Sequence, residues 1–265
     1  MEPQRLQNRQ GWEWIKQGFA LFKKAPLLWV VLLMICLFSA VAFSSIPVLG
    51  EPLVSLLMPV ILTGLMAGCR ALERNEELEL AHLFSGFHRQ TSQLITLGGI
   101  ALVGQYLIFG LMMMVGGAEL VGILMSSQPD ADPNVLVQAI AGASFAVLLG
   151  AVLFSLLMMA MQFAPMLVFF NNVAPVEAMK LSLRAFLYNV GPMLVYVTTF
   201  TLLAILASLP MMLGWLVLLP LVFTSLYASY CDLFPAVKES APAAEDPFKP
   251  SDTTFQPCAT RLPPM

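Results

Sequence analysis

The chain alternates long apolar runs with short segments in which apolar and charged residues recur at helical spacing. The runs exceed an ordinary core helix and match the roughly 20 residues that cross a bilayer core. They predict six spans, at about 26–46, 52–69, 94–115, 140–170, 190–209 and 211–231. Between the spans the pattern changes. In A-P-V-E-A-M-K-L-S-L-R-A-F-L-Y-N, Val176, Met179, Leu183 and Phe186 recur at spacings of 3, 4 and 3, which draws one helical face. Pro175 suits a first helical turn, and Glu177 stands behind it at the positive end of the dipole. Trp12, Ile15, Phe19 and Phe22 repeat the spacing opposite Glu13, Lys16 and Gln17, while Leu80, Leu83, Phe84 and Phe87 form a third stripe.

These stripes predict amphipathic helices at about 10–24, 76–90 and 175–187, each lying in the headgroup layer just before an outgoing span. The fold expected is an all-α polytopic membrane bundle: six transmembrane helices as three hairpins, each preceded by a cytoplasmic surface helix. The returning spans carry Pro59, Pro165 and Pro220, so the three units read as pseudo-repeats. The middle hairpin is long, with arms Thr91–Met125 and Val135–Phe170 of about 35 residues each, or roughly 50 Å against a ~30 Å hydrocarbon core. It must tilt, break or protrude, and the P-D-A-D-P-N turn at its tip favours protrusion into the periplasm. Residues 1–235 form the membrane domain, and residues 236–265, with six prolines, read as a disordered cytoplasmic tail.

Composition agrees with the pattern. Hydrophobic residues make up 58% of the 265-residue chain and charged residues 11%, against about 25% charged in a soluble domain. All thirteen Lys and Arg fall on one side of this threading, and the opposite loops hold Glu51, Asp130 and Asp132. The positive-inside rule then sets both termini in the cytoplasm. Lys23-Lys24, the stretch 27–38 and A-V-A at 40–42 could also pass for a secretory signal. The long amphipathic leader, and an apolar run that continues past the would-be cleavage site, argue against it. No basic stripe suits nucleic acid. Lys16, Lys23, Lys24, Lys180 and Arg184 lie on the surface helices, where lipid phosphates would take them. Membrane lipids, including anionic headgroups, are therefore the expected partners, with other inner-membrane proteins as candidates.

Chemistry-bearing residues are few, and no catalytic, cofactor or metal set is expected. Arg70 and Asp232 follow Cys69 and Cys231 at the inner ends of the second and sixth spans, so they are expected at one depth, as a candidate interspan pair. Glu119 falls near the outer interface, and Gln105 and Gln162 could bond across the middle hairpin. Met112, Met113 and Met114 on one arm and Met158, Met159 and Met161 on the other raise the question of copper, but they differ in depth by ~9 Å and read as packing. His82 and His88 fall on different helical faces. None of the four cysteines has C-x-x-C spacing, and free thiols are expected.

The stretch A-P-V-E-A-M-K-L-S-L-R-A-F-L-Y-N, with its Pro, Ser, basic residue and closing Asn before a new span, resembles the membrane domain of glycerophosphodiester phosphodiesterases and related uncharacterised bacterial families. The leader G-W-E-W-I-K-Q-G-F-A-L-F-K-K-A-P-L-L-W and the closing Y-A-S-Y-C-D-L-F are similar to one of these, the uncharacterised six-span inner-membrane proteins of proteobacteria. The resemblance covers most of residues 11–234 and implies fold and location. It implies no catalytic residue, since the phosphodiesterase chemistry resides in a separate soluble domain that is not expected here. A non-enzymatic interaction or envelope-organising component is the function expected, with a transporter or lipid-handling protein as the alternative.

Overall fold

The computed structural model describes residues 3–118, 122, 133–209 and 213–235. Its helices are α1 (Gln10–Lys24), α2 (Pro26–Ser44), α3 (Gly50–Glu73), a 3-10 turn (Leu80–Phe84) leading into α4 (Ser85–His88), and α5 (Thr91–Met112). After a π-helical turn (Met113–Gly117) come α6 (Pro133–Asn171), α7 (Pro175–Tyr188), α8 (Val190–Ser208) and α9 (Trp215–Leu233). No strand occurs among the described residues. Among the described residues six stretches are long and apolar enough to span a membrane: Pro26–Ser44, Gly50–Glu73, Thr91–Gly116, Ala141–Asn171, Val190–Ser208 and Trp215–Leu233. The molecule is an all-α, multi-pass membrane bundle. Pro26 and Pro175 each open a helix, where the missing N–H costs nothing and the fixed φ is already helical.

The returning spans α3, α6 and α9 run toward one end, and that end carries every Lys and Arg among the described residues. It is also where large side chains are fully enclosed, among them Trp14, Met66, Phe163, Tyr227, Tyr230 and Phe234. What encloses them is a feature the hydropathy pattern does not announce. Each short element doubles back and packs along the inner half of a returning span. The turn and α4 lie on α3, where a Cβ on Gly64 would stand 2.4 Å from the Leu83 carbonyl oxygen and one on Gly86 2.3 Å from that of Val60. On α9 the partner is α1, and a Cβ on Gly18 would stand 2.6 Å from the Ser225 nitrogen. On α6 it is α7, where the Ser182 hydroxyl accepts from Phe163 N–H at 3.1 Å and donates to the Met159 carbonyl at 2.7 Å. That hydroxyl bridges an i, i+4 pair just before Pro165, a way for a side chain to enter a helix ladder.

This placement corrects the expected stripes. On α1, Ile15 and Phe22 turn inward with Gly11, Trp14, Gly18 and Leu21, while Trp12 and Phe19 point out. On α7 the buried face is Ala178, Ser182 and Ala185, and the larger Met179, Leu183 and Phe186 are only half-buried. Small residues face the spans because close backbone approach requires them. The expected helix over 76–90 shortens to residues 80–88. Asn75, at φ 61, closes α3 with Asn75 N–H on the Leu72 carbonyl and Glu76 N–H on that of Ala71, the pairing of a Schellman cap. Leu78 then inserts over Gly68, which keeps residues 76–79 out of helix.

The two arms of the middle hairpin differ. The first breaks at Gly116, whose φ of 115 no helix accommodates, while α6 runs unbroken for 39 residues. Met112 lies over Gly150, where a Cβ would meet its sulfur. Asp130 and Asp132 at the tip, Glu119 and the tail 236–265 lie outside the described residues.

Candidate functional site

The polar groups of the charged end meet where α3, α6 and α9 converge. Glu73, in the last turn of α3, accepts a 2.7 Å hydrogen bond from the Tyr227 hydroxyl of α9. One turn earlier, Arg70 is 4% exposed and lies 5.4 Å over the Phe170 ring of α6. A cation on an aromatic face gains up to ~2 kcal/mol when desolvated. Tyr230 donates to Asn171 at the end of α6, and Phe170 packs against both Tyr227 and Tyr230 at 6.4 and 5.7 Å. Three returning spans are thus joined by two phenol hydroxyls, one guanidinium and one aromatic ring.

A second set of bonds closes the chain on itself. Asp232 of α9 accepts from the Gln10 amide and, at 2.9 Å, from the Trp14 indole, both on α1. Asn189, 1% exposed at the start of α8, acts like a fragment of backbone. Its oxygen accepts from Leu6 N–H at 2.8 Å, and its nitrogen donates to the Gln4 carbonyl at 2.9 Å and the Ala185 carbonyl at 3.0 Å. Gln4 N–H also reaches the Leu233 carbonyl. The Tyr196 and Ser225 hydroxyls, 2.8 Å apart, link α8 to α9 beneath this clasp.

The structure divides the residues singled out in the sequence. Arg70 and Asp232 keep different company: Arg70 sits on Phe170, and the Asp232 carboxylate is taken by α1. Lys24 is a helix cap, donating to the Leu72 carbonyl at 2.7 Å and to Asn75 Oδ1 at 2.8 Å, at the negative end of α3. Lys16 pairs with Glu13 at 2.8 Å and Lys180 with Glu177 at 2.7 Å, and each lysine holds its carboxyl below the usual range. Lys23 lies 4.5 Å over the Phe19 ring, and Arg184 is exposed. Gln105 is exposed and Gln162 half-buried, with no hydrogen bond between them. His82 accepts from Glu79 N–H within a capping box, and His88 bonds the Phe84 carbonyl. Cys36 and Cys69 are free, but Cys231 is disulfide-bonded, which corrects the expectation of free thiols throughout. No group of three or more His, Cys, Asp or Glu that could hold a metal occurs among the described residues.

Sequence reasoning missed Glu73, Tyr227, Tyr230, Asn171 and the role of Asn189. A signal existed, because the segments that carry the family resemblance, the leader and Y-A-S-Y-C-D-L-F, are the two that bind each other. Among known proteins, one described as a probable inner membrane protein, from Burkholderia thailandensis, is 30% identical over 256 residues, covering 88% of this chain and 94% of the relative. No family model and no solved structure matches the chain.

Proposed function

The chain belongs to the family of that inner membrane protein, and we propose that it acts as a non-enzymatic interaction or envelope-organising component of the bacterial inner membrane. What supports this reading is the use made of buried polar groups. Tyr227, Tyr230, Trp14, Asn189 and Ser182 join one helix to another, and Thr63, Thr224 and Ser229 bond carbonyls of their own helices. Such groups would be the first recruits for a polar path, and here they rigidify the bundle. The threading has both termini in the cytoplasm, the partners are membrane lipids and other inner-membrane proteins, and the bundle is kin to the membrane domain of glycerophosphodiester phosphodiesterases. Purification in mild detergent followed by mass spectrometry tests the role. A protein recovered in fixed ratio supports it, whereas solute or lipid turnover in reconstituted vesicles would replace it.

A transporter or lipid-handling role is the second reading, favoured by Pro59, Pro165 and Pro220. All three are buried inside returning spans, at the level where a short element packs alongside. Interrupted helices at matching places in repeated units are a transporter device.

A further inference from the structure

Among the described residues the outward face of α1 meets no partner, while its opposite face is packed against the spans. Trp12, Lys16, Phe19 and Lys23 follow one another at spacings of 4, 3 and 4, which is one stripe. Trp12 is 47% exposed and Phe19 39%, and both lysines are exposed. The opposite face is accounted for by the glycine contacts and the Asp232 bonds that hold α1 to α8 and α9. Two large aromatic rings left outward in water would be unfavourable by about 25 cal/mol for each Å² of apolar surface.

The neighbouring surface identifies what covers them. After the break at Ala25 the chain enters α2, whose Leu27 and Val31 are 76% and 39% exposed on a membrane-spanning helix. The stripe thus leads within a few residues into a lipid-facing span, at the end of the bundle where the basic residues gather. Aromatic rings favour the headgroup level, and lysines beside them extend their ammonium groups to phosphate while their stems cover apolar surface. The one acid of α1, Glu13, is engaged by Arg9 and Lys16.

We infer that the Trp12, Lys16, Phe19 and Lys23 face of α1 is a seat for anionic phospholipid, with the rings at the acyl boundary and the two ammonium groups on phosphate. This rests on the reading of membrane lipids as partners and narrows it. Lys24, one residue further on, is excluded from the seat because it caps α3.

The test uses the full-length protein in phosphatidylcholine vesicles with and without phosphatidylglycerol. Each neutralised lysine should weaken phosphatidylglycerol retention, read by native mass spectrometry, about fivefold. Lys16 shares its charge with Glu13, so K16Q with K23Q should give between about fivefold and about thirtyfold, while K16R with K23R stays near wild type and K24Q leaves retention unchanged. A photocrosslinker at position 12 or 19 should form lipid adducts, and one at buried position 14 should not. Unchanged retention in the K16Q, K23Q protein, a K24Q loss equal to it, or adducts from positions 12 and 19 to protein in place of lipid would each overturn the assignment. Failure of the proposed interaction role is read separately, from copurification.

Discussion

Asn189 shows how much a single amide can hold. Two of its bonds reach the leader and the third returns to the Ala185 carbonyl, so the leader is tied to the junction of α7 and α8. Asn189→Ala would leave the part-buried Leu6 N–H and Gln4 carbonyl without this partner, at a cost of ~1 kcal/mol. The variant should unfold at lower temperature in detergent, and proteases should cut the leader before any span; a leader still protected would deny Asn189 this role. Gly18 makes a steric argument of the same kind. A Cβ there would stand 2.6 and 2.7 Å from the backbone N and Cα of Ser225, so Gly18→Val must push α1 off α9 and should cost about 1–3 kcal/mol or more. Gly142, with nothing within 4 Å, is the control, and Gly142→Ala should melt with wild type. In the sequence Asn189 could be noticed only as the residue before a span, because its partners lie 183 and 185 positions away. Arg70 and Asp232 stand at matching places after cysteines, which suggested a pair; the contacts that surround them, Phe170 for the one and α1 for the other, come from elements distant in sequence.

At the scale of elements, hydropathy is a local property, and the six spans were legible for that reason. Where the short helices go is not local. Their apolar stripes suited burial in lipid as well as in protein, and what decides between the two is a set of slots at Gly18, Gly64 and Gly86 that matter only once two backbones meet. The Asn75 turn after α3 was likewise hidden, since a helical pattern resumes five residues beyond it. Lys24 belongs to this scale because it lies on α1 but caps α3. Lys24→Met removes a cation from the last turn of α3 together with two hydrogen bonds, and should cost about 1 kcal/mol. Hydrogen exchange should rise over residues 69–75 and stay unchanged over α1. A rise confined to α1 would show that the lysine steadies its own helix instead.

For the whole molecule, the proposed orientation rests on charge alone and is directly measurable. Reporters fused after Glu51, Pro133 and Met211 should register periplasm, and those after Arg74, Lys180 and Lys238 cytoplasm. A periplasmic signal from any of the last three would refute the threading. The larger architectural point is circular closure. The element before each outgoing span packs on a returning span: the turn and α4 on α3, α7 on α6, and α1, the first of the described helices, on α9, the last of them. The first helix in sequence is therefore structurally part of the last hairpin. Removal of residues 1–18 tests this while leaving Lys24 to cap α3 and all six spans to insert. The truncated protein should lose the bonds from Asp232 to Gln10 and Trp14 and those from Asn189 to the leader, so exchange in lipid discs should rise over residues 189–196 and 225–233. Residues 50–66, which pack against α2, α5, the turn and α4, should exchange as in the full chain. The reverse pattern, with α2 and α3 loosened and α9 untouched, would mean that α1 serves its own hairpin and that the ring is not closed.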